Sequence, residues 1–317
     1  MDAGVPRFPF LRLPEDVQLK AVRQMPMMEI LNFSLSSKQT KSTVRKLKVD
    51  VYGIDVQINE KIQITVAGSH RVVLTFNDPN DMAPKAEFRW RVPSQLIPNP
   101  GFRFEQWPNH LLYIFNQPRI RNLVFDGVPC IQDLLSFRRT FDKFQSLTIH
   151  STCPDHVAQE VLNNFRPKNK LVLKKHMPDI DHYITSNLDE IHMKTIIELD
   201  QLLIMNSNLI SIRTPKFSSR DMNRFLKLWI AGSNRNLEVL GIVFESPPGL
   251  EMNKVLKGIS HENVPDDVGR KFTDWRIERL SWVVYGGINI RRRGDGAIAT
   301  IKYVADNRIF YMYVSPS

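Results

Sequence analysis

With 317 residues the chain has room for about two domains. Its composition, 42% hydrophobic, 24% charged and 9% aromatic, is that of an ordinary globular protein, and a chain of this length buries enough surface to fold without a disulfide or metal staple. Lys and Arg outnumber Asp and Glu by 43 to 33, a net +10 that excludes an acidic disordered tail protein and points to a negatively charged partner. The longest apolar runs, such as residues 111–115, fall far short of the roughly 18 residues a membrane span needs, so no membrane association is expected. The start, Met1-Asp2-Ala3-Gly4, leads into no long apolar stretch, so no secretion signal is expected. Cys130 and Cys153 therefore read as thiols of a reducing compartment, and the expected location is intracellular, cytoplasmic or nuclear.

From residue 8 to residue 48 the pattern is helical. Leu13-Pro14-Glu15-Asp16 reads as a helix start, with a proline where its missing N–H costs nothing and two acids at the positive end of the helix dipole. Val17, Ala21, Val22 and Met25 then form one apolar face. Pro26 restarts the pattern, and Met28, Leu31 and Leu35 form the next face with Ile30 and Phe33. Residues 38–48 carry five bases and no acid, which reads as a solvated helix face or a contact to a partner. About 40 residues in two or three short helices hold too little core to stand alone, so the spare apolar face must dock on something.

Leu13-Pro14, Val17, Met25-Pro26, Ile30, Leu31, Phe33, Leu35 and Lys38 fall in the order of the F-box motif. The run Leu35-Ser36-Ser37-Lys38-Gln39-Thr40-Lys41 resembles the nematode version most closely. That resemblance implies a helix set that binds the Skp-type adaptor, and through it the cullin, of a cullin–RING ubiquitin ligase. The adaptor-binding residues it implies are Leu13, Pro14, Val17, Met25, Pro26, Ile30, Leu31, Leu35 and Lys38.

Past residue 48 the period changes from helical to alternating. Val51 to Ile58, Ile62 to Val66 and Val72 to Phe76 predict a three-stranded antiparallel meander. Residues 77–108, rich in Pro, Asn and Asp, read as a surface connection anchored by Trp90, Phe102 and Trp107. Pairs of the form apolar-x-apolar then recur at Leu123/Phe125, Leu147/Ile149, Leu171/Leu173, Ile191/Met193, Ile210/Ile212 and Leu240/Ile242, with amphipathic helix patterns between them. The clearest helix starts at Ser218, three residues before Asp221; it carries Met222, Phe225, Leu226 and Trp229 on one face and stops at Gly232. Alternation returns at Trp282 to Ile290, Ala297 to Ile301 and Ile309 to Val314, the last strand closing the repeats or pairing with the meander. The expected fold class is α/β: a small N-terminal helical F-box (8–48), then an irregular leucine-rich-repeat-like α/β solenoid with flanking antiparallel strands (49–317). The stretches from Leu199 to Ser207, Asn223 to Ile230 and Gly232 to Glu238, with Gly287-x-x-Ile290-Arg291-Arg292 and Ala299-Thr300-Ile301, resemble the type 2 F-box-associated domain of the same nematode family. Together the two resemblances span nearly the whole chain.

No motif for chemistry appears. The eight histidines form no His-Glu-x-x-His, neither cysteine lies in Cys-x-x-Cys, and phosphate-cradling glycine loops and Gly-x-Ser-x-Gly are missing. No enzyme, cofactor or metal is expected. The residues flanking the inward positions of the repeats are another matter. His150, Lys170, Lys174, His192, Lys194 and Arg213, with Asp126 and Glu190 as the acids, should line a mildly basic groove that binds an acidic segment of a target protein. Arg291-Arg292-Arg293 reads as a solvated rim beside a turn. Nucleic acid is not the expected partner, because neither a basic aromatic sheet nor a recognition helix is evident. The leading expectation is a substrate receptor of a cullin–RING ubiquitin ligase. Its alternatives are a protein scaffold unconnected with ubiquitin and, on the charge alone, a nucleic-acid binder.

Overall fold

The computed structural model describes residues 10–68, 71–78, 80, 85–88, 92–96, 101–130, 134–213, 217–244, 249–273 and 281–315. Residues 8 and 9 of the expected helical module, and Trp90, lie outside these. The chain divides into two compact units, Met1–Leu147 with Thr152–Arg166, and Thr148–Ser151 with Pro167–Ser317.

In the first unit a short turn at Phe10–Arg12 leads into α1 (Glu15–Arg23), α2 (Met27–Leu35) and α3 (Lys38–Lys46). Pro14 and Pro26 hold the N-cap positions of α1 and α2, so each proline starts a helix where its absent N–H is no loss. α3 is started by a reciprocal cap: Thr40 N–H donates to Ser37 Oγ at 3.1 Å and Ser37 N–H donates to Thr40 Oγ1 at 2.9 Å. The module closes over Val22, Met27, Met28, Ile30, Leu31, Val44 and Leu47.

The apolar face expected on α1 is corrected by the structure. Val22 is buried, but its neighbour on the inner face is Gln18, only 6% exposed, whereas Val17 is 40% exposed and Ala21 is exposed. Gln18 Nε2 donates to the carbonyls of Leu13 at 2.8 Å and Leu11 at 3.3 Å, which satisfies the turn that precedes the helix. A polar side chain wins the inner position by its hydrogen bonds, and Val17, about 100° around the helix, is turned outward.

β1 (Val51–Ile58), β2 (Ile62–Gly68) and β3 (Val72–Phe76) form the expected antiparallel meander. Two further strands, β4 (Lys85–Phe88) and β5 (Val92–Leu96), extend it where a connection was expected. They are four and five residues long and form by pairing onto the edge of β3, so they carry almost no periodic signal of their own. α4 (Gln106–Ile114), β6 (Ile120–Phe125), α5 (Leu134–Thr140), β7 (Phe144–Ile149) and α6 (Asp155–Asn164) complete the unit; the last two residues of β7 count with the second. β6 lies parallel to β1, and the strand order is β7-β6-β1-β2-β3-β4-β5. An aromatic cluster fills the core: Phe76 meets Phe104 edge-on at 5.1 Å, and Phe104 stacks on Phe137 at 5.5 Å.

The second unit begins with strand and helix in alternation: β8 (Lys170–Leu173), α7 (Asp181–Ile184), β9 (Glu190–Met193), α8 (Leu199–Ile204), β10 (Leu209–Arg213), α9 (Ser219–Ala231) and β11 (Val239–Val243). The four strands run parallel to their neighbours, in register through Leu171, Ile191, Ile210 and Leu240, all buried. Ser218 caps α9 with Asp221 as expected; Met222, Phe225, Leu226 and Trp229 are buried, and Gly232 closes the helix at φ +113°, a conformation only glycine adopts without strain.

α10 (Met252–Val255) and the antiparallel strands β12 (Glu262–Thr273), β13 (Ser281–Arg291), β14 (Ile298–Val304) and β15 (Ile309–Ser315) follow. β15 pairs with β11, so of the two placements open to the last strand the structure uses the one beside the repeats. β12 has no counterpart in the sequence reading. Gly286 and Gly287, within the alternating run from Trp282 to Ile290, lie inside β13 at φ +67° and +111°. A Cβ at residue 287 would stand 2.6 Å from the Ile301 carbonyl oxygen, so the close approach of β14 requires a glycine there. Among the described residues no helix is long and apolar enough to cross a membrane.

Candidate functional site

The nine adaptor-binding candidates separate into three groups by burial. Ile30 and Leu31 are buried within the helical module. Leu13, Met25 and Leu35 are half-buried, and Pro14, Val17, Pro26 and Lys38 are exposed. Leu11, also exposed, adds to the apolar surface left by Val17. Met25, Pro26, Met27, Ile30, Leu47 and Val49, together with Arg23, Gln24, Lys48 and Asp50, line a depression of about 580 Å³. Helices this short do not expose such side chains because they are poorly folded: the proline starts, the Ser37 cap and the Gln18 bonds fix them in place.

The other side of the module is already occupied. Lys41 and Arg45, from the basic run of α3, lie 4.7 and 4.4 Å from the centre of the Tyr113 ring on α4. Arg45 Nε donates to Asn116 Oδ1, and Asn116 Nδ2 returns a bond to the Arg45 carbonyl. Ser34 Oγ gives its proton to the Leu31 carbonyl at 2.6 Å, so the 2.8 Å contact with His110 must be donated by His110 Nε2–H. The proton-free Nδ1 of His110 is then buried with no hydrogen-bond partner among the described residues. Burial, with Lys41 nearby as the second cause, holds the His110 pKa down at about 4. A single histidine in a helix gives no sequence signal for this role; the spacing to Ser34 is 76 residues.

In the second unit the structure brings four of the six groove candidates together. Lys174, His192, Lys194 and Arg213, with Ser151 and Ser211, line a depression of about 380 Å³. Its geometry follows from the register. Leu173 pairs with Met193 and Met193 with Ile212, so Lys174 and Lys194, the residues just past the ends of β8 and β9, and Arg213, the last residue of β10, follow one another at the strand spacing of about 4.8 Å. Like charges at this spacing repel, and an anionic partner relieves that repulsion.

Lys170 and His150 do not line it. Lys170 Nζ, at 2.7 Å, and His192 Nε2, at 3.0 Å, both donate to Glu190 Oε2. Burial opposes the Glu190 charge, but the bonds from His192 and Lys170 outweigh it and hold the carboxyl at a pKa of about 2. Lys170 is therefore neutralised locally, and the charge of the depression rests on the other three cations. His150 neighbours Ser151 in sequence, and Asp126 belongs to the first unit, where it accepts from Gln57 and Thr152. Among the described residues no three His, Cys, Asp or Glu side chains are placed to hold a metal ion, and Cys130 and Cys153 are not joined in a disulfide.

Residues 10–52, the helices together with the start of β1, match the F-box domain family. Residues 179–242, from α7 into β11 and including His192, Lys194 and Arg213, match the F-box associated family. The chain is also 26% identical over 241 residues to the F-box associated domain-containing protein sdz-33 of Caenorhabditis elegans, an alignment that covers 74% of this chain and 78% of the relative. No solved structure matches. Two family matches in the expected order, and a relative aligned over most of both chains, make the chain similar to F-box proteins that carry a C-terminal F-box-associated domain.

Proposed function

We propose that the protein is the substrate-recognition subunit of an SCF-type cullin–RING ubiquitin ligase, with residues 8–48 as the adaptor-docking module and residues 49–317 as the receptor for a target protein. The observation that carries this reading is the division of the F-box side chains: Ile30 and Leu31 face inward while Leu13, Pro14, Val17, Met25 and Pro26 remain available outside. An apolar surface left outside the core of a small helical module is what a docking site for the Skp-type adaptor requires. Leu35 and Lys38 complete the contact at the α2–α3 turn. The cullin is reached through the adaptor, and the protein supplies proximity between target and ubiquitin-charged enzyme rather than a catalytic group. It works inside the cell, in cytoplasm or nucleus, and needs no cofactor.

We read the strand–helix succession from β8 to β11 as an irregular leucine-rich-repeat-like solenoid whose outward flank binds the target. Lys174, Lys194 and Arg213 would hold an acidic segment, with His192 between them and Lys170 and His150 at the margin. Co-purification with a Skp-type adaptor tests the first half of the proposal, and loss of adaptor with Val17→Asp but not with Lys194→Glu supports it. For the second half, target recovery is compared between the native chain and the Lys174→Glu, Lys194→Glu, Arg213→Glu triple variant, which keeps the F-box intact. Unchanged recovery refutes the groove, and a chain that holds targets but never an adaptor is a scaffold unconnected with ubiquitin.

A further inference from the structure

A second cavity in the C-terminal unit, of about 540 Å³, shares no lining residue with the Lys174–Arg213 depression. One wall is α9, which contributes Lys227 and Ile230. A second is the segment 258–262, and the third is formed where β13 ends and β14 begins. The walls are tied together. Asn223 Nδ2 on α9 donates to the carbonyls of Val255 at 2.7 Å and Lys257 at 2.9 Å, which fixes the turn leading into the second wall. The Arg293 N–H donates to the Ile230 carbonyl at 2.8 Å, which fixes the third.

The arginine triplet, expected as a solvated rim, is divided by this arrangement. Arg292 is 6% exposed: its guanidinium lies 4.9 Å from the centre of the Trp229 ring, grips Asp295 at 2.7–3.1 Å and donates to the Arg235 carbonyl at 3.3 Å. It pins the hairpin to α9, and Arg291 and Arg293 on either side of it are left lining the cavity across from Lys227. Among the described residues none of these three cations is in an ion pair, and Arg291 makes only a 3.4 Å bond to the Gly296 carbonyl. Glu262 is the one acid of the lining, against three permanent positive charges.

Two more features say what the cavity takes. Asn289, 9% exposed, accepts on Oδ1 from Thr300 at 2.9 Å and Arg270 at 3.1 Å, so its NH₂ remains as a donor toward the lining. Ile230, Ile259 and Ile290 supply an apolar floor. A bare inorganic ion would use the cations and leave most of this volume and the floor unfilled; the size is that of a site for a small organic molecule. Two guanidinium forks match the oxygens of a phosphate group, to which they can donate in pairs.

We propose that this cavity binds a phosphate monoester carried on a ring-sized apolar body. The phosphate is held by Arg291, Arg293 and Lys227, and the body rests on Ile230 and Ile290. The ester arrives either as a free aryl phosphate or as the phosphorylated tyrosine of a polypeptide, and the site stands whether or not the F-box binds an adaptor.

Calorimetric titration of the full-length chain tests this with phenyl phosphate, inorganic phosphate, benzyl alcohol and a phosphotyrosine peptide with its unphosphorylated form. Phenyl phosphate is expected to bind at least tenfold more tightly than inorganic phosphate, and benzyl alcohol not at all. Arg291→Glu and Arg293→Glu, both exposed and clear of the Arg292 peg, should each weaken phenyl phosphate at least tenfold, and Arg291→Gln by less. Lys194→Glu, in the other depression, should leave it unchanged. A peptide that binds more tightly than phenyl phosphate assigns the site to a protein partner, and equal binding assigns it to a free molecule. The proposal is overturned if neither ester binds at millimolar concentration, if the Glu variants bind as well as the native chain, or if inorganic phosphate binds as tightly as the aryl ester.

Discussion

Acidification from pH 8 to pH 5 should remove about 2 kcal/mol of stability from the full-length chain through His110 alone. The histidine is 2% exposed and gives its only proton to Ser34, so protonation must place a charge on the buried Nδ1 beside Lys41. Its pKa is about 4 in the folded chain against 6.5 for the free side chain. A base with a lowered folded pKa is stabilising above its unfolded pKa, and the contribution is lost as pH falls from 6.5 toward 4. Because the unfolded chain takes up the proton first, the loss grows to about 2 kcal/mol at pH 5 and approaches a ceiling of about 3.4 kcal/mol well below pH 4. Urea unfolding followed by tryptophan fluorescence at pH 8, 6.5 and 5 measures it, with His110→Gln as the reference. Glutamine keeps an amide donor for Ser34 but cannot titrate, so carboxylates elsewhere cancel in the comparison. The native chain should lose about 2 kcal/mol more than the variant between pH 8 and pH 5. Parallel pH profiles would refute the burial argument, and with it the placement of α2 against α4.

Three further outcomes follow from local contacts. Ser218→Ala removes the acceptor for the Asp221 N–H and should cost about 1 kcal/mol, seen as a lower urea midpoint with unchanged slope. Phe225→Ala empties a fully buried position on the same helix and should cost about 3–5 kcal/mol, enough to prevent folding of a marginal chain. Glu190 has a folded pKa of about 2, so its stabilising contribution is present above its unfolded pKa near 4.5 and is lost as pH falls through that range to 2; Glu190→Gln should flatten the acid limb of the stability profile there.

Where side chains act locally and periodically, the sequence made the structure legible. The Ser218–Asp221 cap, the Gly232 stop and the Leu-Pro and Met-Pro helix starts depend on residues within four positions of one another. The buried pairs from Leu171/Leu173 to Leu240/Ile242 could be placed because alternation within a short strand survives irregular spacing between strands. What escaped was set by distant partners. Gln18 took the inner face of α1 through carbonyls that only the folded turn presents, and β4, β5 and β12 owe their existence to strands that were already there. Arg292 looked like its two neighbours in sequence, yet Trp229 and Asp295 draw it inward. The groove candidates divided for the same reason: Lys170 and Glu190 are 20 residues apart, and only the parallel pairing of β8 with β9 shows that one neutralises the other.

Adaptor binding by the F-box is the claim on which the functional reading turns, and titration of the purified full-length chain with a purified Skp-type adaptor measures it directly. The exposed apolar surface at Val17 predicts a one-to-one complex that Val17→Asp weakens at least tenfold, with far-ultraviolet circular dichroism and melting temperature unchanged because that side chain is already turned to solvent. No complex with the native chain, or one that Val17→Asp leaves as tight, would contradict it.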